Sequence, residues 1–378
     1  MPTYQYLPIY ELIRGDIVES VHYGAITVVN ASGDLIASYG DPRTITYMRS
    51  AAKPLQALPF IEQGGHEYYK LTSREIALIC ASHAGTDEHV AVLTAIQAKS
   101  GVSESDLLCG VHPIAHKPTR DVLYQKGETP TANRHNCSGK HTGMIAFANL
   151  RGEPAQDYIN PNHPVQKTIT RVFSEMCSLS LDRIGIGIDG CSAPNFAVPL
   201  YNAALAIARL CDPAMSDPPL SEKRAGACRT ITNAMLDHAD MVGGPNSFDT
   251  HLMQGAQGRL LSKGGAEGYQ VIGIMPGAFH PGSPGLGVAI KVSDGDLKSH
   301  TGSVSNPRGQ VRPAVSMEIL RQLGVLEPGM ADDMVEFGPT FPVYNWRNLL
   351  AGSGRPSFQL DIEGNHYSPG ETQSLAEY

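Results

Sequence analysis

The chain has 378 residues, 42% of them hydrophobic and 17% charged, enough to bury one large core or two modest ones. A net charge of −8 without any run of five basic residues disfavours nucleic acid and anionic membranes as partners. No apolar run reaches the ~18 residues of a membrane span, and the opening MPTYQYLPIYELIRGD has no basic segment followed by an apolar one, so the expected location is cytoplasmic.

Residues 21–30 (VHYGAITVVN) and 35–39 (LIASY) flank the turn Ala31-Ser32-Gly33-Asp34 and predict a β-hairpin. From about residue 50 to about 257 the pattern is mainly helical, with Thr72-Ser73-Arg74-Glu75 as a capping box and Pro164 opening VQKTITRVFSEMC. One short strand, Ile184–Ile188, interrupts it. Strand signals return in GRLLSK, YQVIGIMPG and GLGVAIKVSDGD, followed by a helix near 310–323 and a final strand near 357–362.

Strands at both ends around a helical block predict an α+β protein, with one antiparallel sheet built from both termini, packed on helices, and a helical region inserted. The expected organisation is a single unit over 1–378, with a sheet-containing part at about 1–50 and 257–365 and a mainly helical part at about 51–256. Neither GxGxxG at a strand-to-helix turn nor a Walker A sequence supports nucleotide chemistry. Seven cysteines, an odd number without CxxC, do not predict a disulfide framework.

Five segments can carry chemistry. In Ser50-Ala51-Ala52-Lys53, helical geometry would set a hydroxyl and an amine one turn apart, as a lysine-activated serine requires. The plainer alternative is an N-capping serine with a solvated lysine. Ala81-Ser82-His83-Ala84-Gly85-Thr86 offers a second serine for proton relay or substrate binding, or simply a loop whose Ser82 and Thr86 cap helices. Asn133–Gly143 (NRHNCSGKHTG) is the densest polar cluster, and Asp189-Gly190-Cys191-Ser192 closes a strand. Cys137 and Cys191 could meet as zinc thiolates, with Lys140, His135 or His141 supplying nitrogen. Buried structural cysteines are the simpler reading of the residues alone. Ser262-Lys263-Gly264-Gly265 could present a cation to a substrate carboxylate or an oxyanion, or be an exposed hairpin lysine.

Taken in order, MRSAAKP, CASHAGTDEH, NRHNCSGKHTGM, GIDGCSAPNF and SKGGAEG resemble the rhizobial-type (class 3, asparaginase II) L-asparaginases over about residues 10–350. The resemblance implies a fold like the serine β-lactamases and glutaminases, a homodimer, and hydrolysis of L-asparagine to L-aspartate and ammonia through two Ser-Lys pairs. It puts the nucleophile at Ser50 and its base at Lys53, with Ser82 and Lys263 as the second pair. It makes Arg49, Asp189 and His141 the candidate substrate-binding groups and implies zinc on Cys137, Lys140 and Cys191. Penicillin chemistry is disfavoured, because no S-D-N follows S-x-x-K and SKGG stands where K-T-G would. The alternatives are a glutaminase or other short-amide hydrolase, and a non-catalytic zinc- or amino-acid-binding protein.

Overall fold

The computed structural model describes residues 6–295, 311–326 and 328–362. The chain divides into two compact units, one made of Met1–Ala51, Val198–Pro218 and Gly255–Tyr378, the other of Ala52–Ala197 and Pro219–Gln254. The strands are β1 (Leu7–Arg14), β2 (Ile17–Asn30), β3 (Leu35–Tyr39), β4 (Ile45–Tyr47), β5 (Gly185–Ile188), β6 (Pro194–Pro199), β7 (Leu260–Gly265), β8 (Tyr269–Ile274), β9 (Leu286–Val292), β10 (Phe341–Tyr344) and β11 (Leu350–Pro356).

The first unit is built on one sheet in the order β10-β11-β1-β2-β9-β8-β7, with β3 also pairing β2. Its ladders are antiparallel. This is the expected α+β sheet drawn from both ends of the sequence. Every residue of β8 and β9 is buried, so both faces of the sheet are covered there. Helix Leu200–Cys211 packs on β9, β2 and β8, and helix Val311–Gln322 on β9, β1, β8 and β11. The first contact is close: a Cβ on Gly287 would lie 1.9 Å from the Ala204 carbonyl oxygen, so only glycine fits. The β2–β3 turn forms where expected, held by Asn30, whose Oδ1 accepts from the Gly33 and Asp34 N–H groups at 2.9 and 2.8 Å.

The final strand falls earlier than expected. Strand β11 occupies Leu350–Pro356, and in 357–362 only an isolated bridge joins Ser38 to Asp361. The pairing surface decides the register. A Cβ on Gly352 would sit 2.0 Å from the Ile13 oxygen and one on Gly354 2.6 Å from the Tyr10 hydroxyl, so the glycines of LAGSGRP let β11 approach β1 where side chains could not.

The second unit is helical. At its centre lies helix Lys53–Glu62, with residues 53–61 all buried, packed against helices Ser138–Leu150, Pro164–Cys177 and Glu222–Asp237. Thr72 caps helix Ser73–Ile79 through the expected capping box with Glu75. The strand expected at 184–188 is one arm of a hairpin, β5 with β6, in register from Gly185↔Ala197 to Ile188↔Pro194.

Candidate active site

Each unit carries candidate residues of its own, placed by its own elements. In the first unit a 3₁₀ turn, Arg49–Ala52, carries Ser50. Arg49 has φ 52°, an αL conformation that costs a non-glycine residue ~1 kcal/mol or more and concentrates at functional sites. The turn lies on the β7–β8 hairpin: a Cβ on Gly265 would meet the Met48 oxygen at 2.4 Å, and the Arg49 guanidinium reaches Glu267 at 4.0 Å. Lys263, on β7, is 1% exposed and donates from Nζ to the Gly264 oxygen at 2.8 Å. It is no exposed hairpin lysine. Its neighbour Ser262 accepts from Gln270 Nε2 at 2.9 Å, and Gln270 Oε1 accepts from Arg312 at 2.5 Å.

In the second unit Lys53 opens the central helix and is fully buried, not solvated. Its Nζ meets the Ala81 oxygen at 2.6 Å, Ser82 Oγ at 2.9 Å and the Asn136 oxygen at 3.3 Å. The two carbonyls can only accept. A neutral amine has just two N–H bonds to give them, so its lone pair faces the Ser82 hydroxyl; an ammonium donates there instead. This geometry lets Lys53 exchange a proton with Ser82. Ser82 is itself held by its N–H on the Val242 oxygen at 2.9 Å and caps no helix, whereas Thr86 does cap helix Asp87–Ser100.

Histidines fix the surrounding loops. His83 Nε2 donates to Ser138 Oγ at 2.8 Å, because Ser138 passes its own proton to the Asn133 oxygen at 3.0 Å. His112 Nε2 accepts from the Asn136 N–H at 3.0 Å, and its ring lies tilted against that of His135, centroids 4.2 Å apart. His83 and His89 stack at 5.1 Å, and burial holds both imidazoles below their ordinary range.

Cys137, Lys140, Asp189 and Cys191 come together. Lys140 Nζ donates to Cys191 Sγ at 2.9 Å, and Cys191 Sγ lies 3.7 Å from Asp189 Oδ2. A hydrogen bond from Cys191 brings the Cys137 thiol well below its ordinary range despite burial, and the same bond pushes Cys191 up. Burial works against the Lys140 charge, yet Cys191 and Cys137 outweigh it and hold the ammonium above its usual value. The close approach that seats this helix depends on Gly139, where a Cβ would lie 2.2 Å from the Leu78 oxygen. Ser192, with φ 71°, turns the chain just after Cys191.

His141, one residue on, is fully buried, and burial lowers its pKa. Tyr158 Oη lies 2.6 Å from Nδ1, within hydrogen-bond distance, and accepts the Leu108 N–H at 2.8 Å. The buried His141 Nε2 has no hydrogen-bond partner among the described residues. Tyr158 and His112 escape a reading of the sequence because nothing in their spacing marks them.

Among the described residues no three His, Cys, Asp or Glu side chains gather in a metal-binding group. Two thiolates and a lysine amine that has given up its proton are donor types that zinc accepts.

The family described as L-asparaginase II matches residues 10–356. The chain belongs to the L-asparaginase II family. Family membership supports amidohydrolase activity on a small amide. Among solved structures the chain is similar to a probable glutaminase from Bacillus subtilis complexed with 6-diazo-5-oxo-L-norleucine, at 11% identity and a TM-score of 0.38, over 80% of this chain and 84% of that one. A second Bacillus glutaminase aligns at 14% identity and a TM-score of 0.33, covering 73% and 85%. No curated protein matches the chain. No helix of the described residues is long and apolar enough to cross a membrane.

Proposed function

We propose that this member of the L-asparaginase II family hydrolyses L-asparagine to L-aspartate and ammonia through a serine acyl-enzyme. The observation that carries the reading is the burial of Lys53 with its amine against two carbonyls and the Ser82 hydroxyl. A lysine that only capped or solvated a helix start would not be enclosed in this way.

In the proposed reaction Ser50 Oγ attacks the side-chain amide carbon, and its hydroxyl proton goes to Lys53, three residues on, by way of Ser82, the hydroxyl that the amine's lone pair faces. Backbone N–H groups at the start of the Ser50 turn stabilise the oxyanion. The proton passes by way of Lys53 and Ser82 to the departing nitrogen, which leaves as ammonia, and water then cleaves the ester. Lys263 completes the second Ser-Lys pair, while Arg49, Asp189 and His141 bind the substrate's charged groups. Cys137, Lys140 and Cys191 hold zinc, which when bound supplies a fixed positive charge that organises the substrate pocket. The working assembly is a homodimer.

The test is ammonia release from L-asparagine by wild type, Ser50→Ala and Lys53→Met, with L-glutamine in parallel. Both substitutions should cost on the order of 10³-fold or more in kcat with far-UV circular dichroism unchanged. Substantial turnover by Ser50→Ala would falsify the nucleophile assignment. Discrimination by one methylene runs about 10–200-fold, so a ratio favouring glutamine makes the protein a glutaminase. Tight asparagine binding without ammonia release by the wild type would mark a binding protein.

A further inference from the structure

We propose that the outer edge of β5 is an interface for a second copy of this chain, the two copies pairing antiparallel about a two-fold axis at Ile186. This seam rests on the homodimer reading above and gives it a surface. In Gly185-Ile186-Gly187-Ile188 the large apolar residues sit on the outside: Ile186 is 45% exposed and Ile188 80%, whereas the half-buried positions are glycine. A strand that ended its sheet in water would show the reverse, polar outward and apolar inward. The strand also carries no charge, proline or bulge of the kind that keeps a free edge from pairing.

Among the described residues β5 pairs on one side only, with β6. The Asp189 N–H donates to the Ala193 oxygen at 2.9 Å, so Asp189 and, by alternation, Gly187 and Gly185 turn their main-chain groups toward β6. Ile184, Ile186 and Ile188 turn theirs the other way. The Ile184 N–H goes to the Leu181 oxygen at 3.3 Å, so that residue brings only its carbonyl to the edge. An antiparallel copy centred on Ile186 sets Ile186 opposite Ile186 of the partner subunit and Ile184 opposite Ile188 of the partner subunit. Outward donors then meet outward acceptors in about four hydrogen bonds, and the isoleucines of both copies share one face, where they cover each other. Charge selects this centre over its neighbours: Arg183 falls opposite Asp189 of the partner subunit, twice by symmetry, whereas a centre at Gly187 would set it against a cysteine and one at Ile188 against an alanine. Asp189 Oδ2 lies 3.7 Å from Cys191 Sγ, so the pairing brings Arg183 of the partner subunit beside the candidate site.

The experiment weighs the full chain by sedimentation. Wild type should run at twice its 40.5 kDa. Ile186→Lys, which sets two like charges opposite each other, should raise the dimer dissociation constant at least ~10-fold with far-UV circular dichroism unchanged. Cysteine variants then read the register. Under diamide, Ile186→Cys should form a disulfide-linked dimer on a non-reducing gel, since residues directly opposite stand within disulfide reach. Ile188→Cys should not, although its side chain is the more exposed, because the two copies of that position lie ~14 Å apart along the seam. A wild-type dimer in which Ile186→Lys leaves association unchanged, Ile186→Cys fails to link, or Ile188→Cys links as readily would overturn the seam while leaving the homodimer. A wild-type monomer at micromolar concentration would overturn both.

Discussion

A lysine enclosed as Lys53 is has to be placed by the fold, because its spacing from Ser50 says nothing about burial. The motif in the sequence therefore named the residue types, while the surrounding carbonyls, which carry the argument, were invisible in it: main-chain oxygens have no sequence signature. The stacked pair His83 and His89 makes the point energetically. His89 Nε2 donates to the Asp240 oxygen at 3.1 Å and Nδ1 accepts from Thr86, an arrangement that requires a neutral ring. Burial lowers both pKa values in the folded state, whereas the unfolded chain takes up protons below about pH 6.5. Stability is thus fully present above pH 6.5 and falls as pH drops below it, by about 1.4 kcal/mol per unit for each such histidine. Urea unfolding between pH 7.5 and 5 should show this slope, reduced by about one proton in His89→Gln. An unchanged slope in that variant would show that His89 is already charged when folded.

Helices and strands were legible to different degrees. Capping residues announce themselves locally, so the start at Thr72 and the hairpin at Asn30–Asp34 could be read directly. Strand β1 and the placement of β11 could not, since each depends on a partner more than 300 residues away. Strand β1 begins with a proline at its second position, where the ladder with β2 shifts register, which further masks its pattern. The contact of helix Ser138–Leu150 with helix Ser73–Ile79 is set by Gly139 against the Leu78 carbonyl. Alanine there improves helix propensity by about 1 kcal/mol but forces the helices apart, and overpacking of this kind costs ~1–3 kcal/mol. Because the obstacle is backbone, the cost falls at the upper end of that range, and Gly139→Ala should show a net loss of about 2 kcal/mol in a urea titration. The same variant should weaken zinc uptake, as Cys137 and Lys140 flank the contact. A Gly139→Ala protein as stable as wild type would mean the two helices can separate freely.

At the scale of the whole chain, α+β composition and a sheet taken from both ends of the sequence were readable, because strand signals cluster there and helical ones between. The threading was not: Val198–Pro218 leaves the helical stretch to join the unit that holds the sheet, where helix Leu200–Cys211 covers β9. The helix is nearly all apolar and could have been assigned to either unit. Pairing across such sequence separations slows folding, since loop entropy is lost before long-range contacts form.

Antiparallel β1 and β11 also decide how the protein answers force. Tyr10 pairs with Pro356 and Arg14 with Gly352, and the Ser357 N–H still holds the Ile9 oxygen at 3.1 Å, so the start of β1 and the end of β11 lie side by side. Once the two bonds between Ser38 and Asp361 open, a tether pulling on both ends loads this ladder one hydrogen bond at a time, as a zip opens, and never shears it as a whole. In an optical trap the first rupture should come at low force and release β10 and β11 before the rest of the sheet yields. A single high-force event would mean that the ladder is bypassed.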